Sequence, residues 1–166
     1  MACKETNAID LLREDHSTLK TLLGRLAETR DPAVRSRTVR QICDEVIAHV
    51  LVDEEIFYPA LCGSVDGRAL GKAVAADEGL RLVLEELRAL DPRDRFFKSR
   101  AAMLCTHIEQ HIRAEERPCD GLFSQAGRSE LDLNEVGRRI AVRRSELLAA
   151  ARQGTLPPFP SAVAAE

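Results

Sequence analysis

Apolar residues recur at steps of three and four along nearly the whole chain, a period that admits little except helices packed face to face. Ile9, Leu12, His16, Leu19, Leu23 and Leu26 make the first stripe and predict a helix from about Ala8 to Thr29. Val39, Ile42, Val46, His49, Asp53 and Ile56 make the second. It opens at Asp31-Pro32, a cap followed by a proline in the first helical turn, and ends or kinks near Tyr58-Pro59, where proline cannot donate to the preceding turn. After a turn over Gly63 to Gly67, a third helix spans about Arg68 to Leu90, with Leu70, Val74, Asp77, Leu80, Leu84 and Leu87 inward. The dipeptide Asp91-Pro92 opens a fourth, which presents Phe97, Ala101, Leu104, Ile108, His111 and Glu115 and stops near Arg117-Pro118.

Four long helices with short connections predict an all-α, antiparallel up-down bundle over residues 1–122. Residues 123–153 read as a loop and a fifth amphipathic helix packed on the bundle, carrying Leu133, Val136, Ile140, Leu147 and Leu148 and ending before Gly154. Residues 154–166 read as a flexible tail. Arg138, Arg139, Arg143 and Arg144 give the fifth helix a basic face, read as solvated surface.

With 166 residues, 45% of them hydrophobic, the chain suffices for one core. Its 24 basic and 27 acidic residues leave a net charge of −3 with no long block of one sign, which argues against nucleic acid as a direct partner. No apolar run reaches the roughly 20 residues of a membrane helix, and the first residues lack the apolar stretch of a signal peptide, so a cytoplasmic protein without a membrane partner is expected. The five cysteines, Cys3, Cys43, Cys62, Cys105 and Cys119, include no C-x-x-C pair and encode neither a disulfide framework nor a zinc knuckle. Nucleophile motifs, phosphate loops and dinucleotide fingerprints are absent, so chemistry must come from elsewhere.

The four histidines, His16, His49, His107 and His111, lie on or beside inward stripes, and Asp53, Asp77 and Glu115 share those stripes. A buried carboxylate must be paired or must bind a cation. His49 with Asp53, and His111 with Glu115, stand four residues apart, which sets a nitrogen and an oxygen ligand one above the other on a helix face. Two such helices suit two metal ions bridged by two carboxylates. Mixed imidazole and carboxylate donors favour iron or manganese over calcium, magnesium or structural zinc, and iron is the first choice.

These residues resemble the hemerythrin-like, or HHE cation-binding, domain family over about Ile9 to Leu122. The resemblance rests on Asp15-His16, on His49-x-x-x-Asp53-Glu54 running into Phe57-Tyr58-Pro59, and on His111-x-x-x-Glu115-Glu116. It implies a four-helix bundle with two iron ions, joined by an oxo or hydroxo bridge, that meet dioxygen, nitric oxide or peroxide. His16, His49 and His111 would be terminal nitrogen ligands, and Asp53 and Glu115 would bridge. Two positions depart from the family pattern. Asp53 stands where glutamate is usual, with Glu54 a possible substitute, and the third helix has no histidine. Asp77 takes that place, either as an oxygen ligand or as a partner of Arg81, while His107 is a replacement ligand, an outer hydrogen-bonding group or a packing residue. Small-ligand binding or sensing is the expectation, with turnover of peroxide or nitric oxide and a metal-free scaffold as alternatives.

Overall fold

The computed structural model describes residues 7–157, and every element among them is helical. Helix α1, Ala8–Glu28, starts where the Asn7 side chain accepts a hydrogen bond from the Ile9 amide at 2.9 Å. Helix α2, Pro32–Val52, starts under Asp31, whose carboxylate accepts from the Ala33 and Val34 amides, and runs into a π-helical turn over Asp53–Phe57 and the short α3, Tyr58–Leu61. After Gly63, at φ +80°, helix α4 covers Gly67–Ala89 with Asp66 as its cap. Helices α5, Phe97–Glu116, α6, Leu122–Ala126, and α7, Leu133–Gln153, complete the chain, and α7 closes on Gly154 in the left-handed conformation that suits glycine. The tail expected from residue 158 onward, like Cys3, lies outside the described residues.

The apolar stripes meet in one core. Helix α1 packs on α2, α4 on α5, and α1 and α5 touch across the bundle, while α7 lies against α1, α2 and the π turn. Leu12, Ile42, Ile47, Leu84, Leu104, Ile108 and Ile140 are fully buried there, each worth roughly 1.5–3 kcal/mol by removal from water. No described helix is long and apolar enough to cross a membrane.

One helix boundary and one inward position differ from expectation. Asp91-Pro92 does not open the fourth long helix. Asp91 instead caps a turn by accepting from the Arg93 amide, Asp94 does the same for Phe96, and the helix begins only at Phe97. Two short aspartate turns thus compete successfully with helix initiation. Val74, expected inward, is 46% exposed, and Ala73 takes its place in the core.

The third departure shapes the site. Pro59 has no N–H, and the turn before it widens so that the Tyr58 amide reaches Asp53 O, five residues back. On an undisturbed helix, nine steps of about 100° put Tyr58 opposite His49. The extra residue in the wide turn takes up about one of those steps and brings Tyr58 round to the interior.

Candidate metal centre

His16 from α1, His49 from α2 and His111 from α5 converge at the bundle's centre, each at most 1% exposed. Their Nε2 atoms approach one another: His49 to His111 at 2.9 Å and His16 to His49 at 3.2 Å. Glu115 Oε2 lies 3.3, 3.9 and 3.6 Å from the Nε2 atoms of His16, His49 and His111, and Asp53 Oδ2 lies 3.1 Å from that of His49. These are separations of neighbouring ligands around one ion bound at about 2.1 Å.

Each imidazole has its other nitrogen committed to a carboxylate. His16 Nδ1 meets Glu116 Oε1 at 2.7 Å, His49 Nδ1 meets Asp15 Oδ2 at 3.5 Å, and His111 Nδ1 meets Asp77 Oδ1 at 2.5 Å. With Nδ1–H donated outward, a neutral ring turns its Nε2 lone pair to the centre. Three lone pairs then face one another and two carboxylates. Among buried side-chain atoms, both Asp53 oxygens and Glu115 Oε2 have no hydrogen-bond partner. A cluster rich in lone pairs and buried negative charge, yet short of donors, fits a cation.

The electrostatics of the metal-free protein agree. Burial, then the charge of Glu115, push Asp53 up to about 7, against the pull of His49. Glu115 is lowered despite burial, chiefly by the charge of His111 and then by those of His16 and His49. Burial works against charge on His49 and His111, but Asp53, Asp15 and Glu115 raise the first and Glu115 and Asp77 raise the second. Protons therefore stand where a cation would, and the two carboxylates cannot both hold full charge cheaply without one.

Of the residues expected from the sequence, His16, His49, Asp53, Asp77, His111 and Glu115 come together, in two overlapping groups. One comprises His16, His49, His111 and Glu115; the other comprises Asp53, Asp77 and His111. Glu54 and His107 stay out. Glu54 pairs with Arg81 at 2.5 Å, so Arg81 goes to Glu54 and Glu78 and leaves Asp77 to the interior. His107 packs over Gly79, where an added Cβ would lie 2.7 Å from its Nδ1.

Three contributors escape the stripe pattern. Tyr58, turned inward by the wide turn, donates to Asp77 Oδ2 at 2.8 Å and lies 3.1 Å from Glu115 Oε1; a proline ten residues past an inward histidine was its only signal. Phe123 of α6 stacks on His16 with ring centroids 5.5 Å apart. The basic face of α7 is not simply solvated: Arg143 clasps Glu55 through two nitrogens, and Arg144 donates to Asp15.

Residues 7–118 match the family profile described as the hemerythrin HHE cation binding domain. A DNA nickase of Nostoc sp. is 26% identical over 113 residues, 68% of this chain and 32% of that protein, so the chain spans about a third of that relative's length. A crystal structure of a hemerythrin HHE cation binding domain-containing protein from Mycobacterium kansasii superposes with a TM-score of 0.72 at 21% identity, covering 90% of this chain and 94% of that one.

Proposed function

The chain belongs to the hemerythrin HHE cation-binding domain family, and from that premise we propose that its bundle holds a non-haem iron centre that binds or senses a small ligand: dioxygen, nitric oxide or peroxide. The observation that carries this is the convergence of three imidazole Nε2 atoms on two buried carboxylates whose inward oxygens lack donors. His16, His49, His111 and Glu115 would hold one ion, and Asp53 and Asp77 beside His111 would offer a more oxygen-rich set for a second. Donors restricted to nitrogen and oxygen, with no cysteine in the cluster among the described residues, favour iron over structural zinc.

When bound, iron supplies reversible redox change and an open position for a diatomic or peroxide. The protein does the rest. The carboxylates on the three Nδ1 atoms fix the ring orientations, Phe123 on His16 with Phe57 behind it excludes water, and burial of the three histidines, Asp53, Asp77 and Glu115 to 1% exposure or less limits a ligand to a few atoms. Tyr58 holds a proton at its hydroxyl between Asp77 and Glu115, because burial and then the charges of Glu115, Asp53 and Asp77 hold its pKa well above the phenolic range.

We do not extend the relative's DNA-nicking description to this chain. Three of the four arginines that give α7 its basic face are engaged with acidic neighbours, Arg138 with Glu135, Arg143 with Glu55 and Glu146, and Arg144 with Asp15 and Glu45. Phosphates would have to displace those partners. Mass-spectrometric metal analysis of protein from iron-supplemented cells, with a visible spectrum of the same sample, tests the proposal. Iron at one to two ions per chain, lost in His49→Ala and His111→Ala, supports it. Iron retained in full by both variants, or no metal after anaerobic reconstitution, overturns it.

A further inference from the structure

We infer that Arg144, on a helix beyond the matched family region, is a positioning residue that fixes His49 toward the metal through Asp15. The inference rests on the metal-centre reading above and concerns α7, which begins 15 residues past the end of the family match at 118.

Asp15 is 4% exposed and divides its two oxygens. Oδ1 accepts from Arg144 Nε at 2.5 Å, and Oδ2 faces His49 Nδ1 at 3.5 Å. That second contact is the longest of the three imidazole–carboxylate pairs, so His49 alone holds the carboxylate weakly. Arg144 also lies 3.7 Å from Glu45 on α2, the helix that carries His49, so its guanidinium ties α1 and α2 together at the level of that ligand. Its neighbour Arg143 is the internal comparison. It grips Glu55 on the π turn, but both partners are a third or more exposed, and such pairs contribute little. Two adjacent arginines on one helix therefore differ in role: one braces the surface, the other reaches the layer behind a ligand.

The test uses the full chain loaded with iron(II) anaerobically, with Arg144→Met, Arg144→Lys, Arg143→Met, Asp15→Asn and the Arg144→Met/Asp15→Asn double variant. Metal release to a colorimetric chelator should accelerate on the order of tenfold in Arg144→Met, the scale of losses behind a ligating histidine. Arg144→Lys should recover part of it, Arg143→Met should match wild type, and Arg144→Met should add little once Asp15 is already Asn. A role confined to packing would lower the melting temperature and leave release unchanged, and that result overturns the inference. A second measurement needs no metal. In 15N-labelled metal-free protein, solvent exchange of the His49 Nδ1–H proton should be faster in Arg144→Met than in wild type; equal exchange overturns the inference. Wild type that takes up no iron but shows this difference would sink the metal reading alone.

Discussion

His111 Nδ1 and Asp77 Oδ1 stand 2.5 Å apart, so the helix without a histidine contributes the carboxylate that orients the histidine of its neighbour. The other Asp77 oxygen accepts from Tyr58 at 2.8 Å, which makes Asp77 the junction of α4, α5 and the short helix after the wide turn. Replacing Asp77 with Ala should weaken metal binding about 10- to 100-fold by freeing the His111 ring. It should also destabilise the metal-free protein by about 1–3 kcal/mol, because partners of Asp77 stay buried without it. Asp77→Asn keeps an acceptor and should lie between. Competition titrations against a chelator of known affinity, beside urea melts of the metal-free forms, give both numbers. Wild-type affinity in Asp77→Ala would show that His111 is held by packing alone.

Why Asp77 could be found in the sequence and Tyr58 could not comes down to periodicity. A stripe of 3.6 residues locates any group on an unbroken helix, and that sufficed for His16, His49, Asp53, Asp77, His111 and Glu115. It fails past a change of helical type: Pro59 announces a disturbance without saying that the turn widens at Asp53–Phe57, and the face of Tyr58 follows from that choice. Asp91-Pro92 failed differently, because local aspartate turns and a helix cap share one signature. Arg144 was out of reach altogether, since its partner Asp15 lies 129 positions away and only tertiary packing brings α7 onto α1. Glu54 and His107 sit one position off the centre of their stripes, and Arg81 and Gly79 on α4 decide their places.

Stability should depend on pH in opposite senses with and without metal. In the metal-free fold Asp53 is raised from 3.8 to about 7, by burial and then Glu115, and His49 and His111 are raised above 6.5 by Asp53 and Glu115 despite burial. The folded state thus binds more protons than the unfolded chain. The Asp53 contribution is complete below its unfolded value and fades toward about 7, and the histidine contributions are complete below 6.5 and fade as pH rises through their folded values. Glu115, lowered to about 2 by its histidine neighbours against burial, acts the other way and is lost only in strong acid. Metal must displace those protons, so its affinity rises with pH. Melting temperatures taken from about pH 6 to about pH 8 should therefore diverge, falling for metal-free protein while the stabilisation by metal grows. A gap that narrows over that range would mean that the metal ligands are not the groups named here.

The cysteines should separate cleanly in reactivity. Burial pushes the Cys43 thiol up to about 12, with the side chain only 4% exposed, whereas Cys62 and Cys119 are at the surface. Thiolate is the reactive form, so Cys43 must wait for unfolding. Brief alkylation of native protein followed by peptide mass spectrometry should show Cys62 and Cys119 modified and Cys43 untouched, with Cys43 labelled only after denaturant. Cys43 lines a cleft between α2, α4 and α5 with Val39, Leu87 and Phe97, and its early labelling would mean that this cleft opens in solution.

Gly121 offers the sharpest test of how the end of α5 supports the site. A Cβ built there would stand 2.5 Å from Arg117 O, 2.6 Å from Arg117 N and 2.6 Å from Glu115 O, all backbone atoms that cannot swing aside. The close approach lets the Gly121 amide bond to Arg117 O at 2.9 Å, so the chain folds back under Glu115 and starts α6, which carries Phe123 against His16. Only a residue without a side chain fits so near another backbone. Gly121→Ala should therefore cost several kcal/mol if the turn holds its shape, or shift it at the expense of the Phe123–His16 stack, in the range of strained or overpacked substitutions. Gly24→Ala, inside α1 with nothing within 4 Å of its Cβ, is the matched control and should gain about 0.5–1 kcal/mol. Chemical denaturation ranks the two, and chelator competition shows whether metal is lost with the turn. Equal stability of the two variants would mean that the Glu115 backbone moves freely, and the rigid placement of that carboxylate would have to be given up.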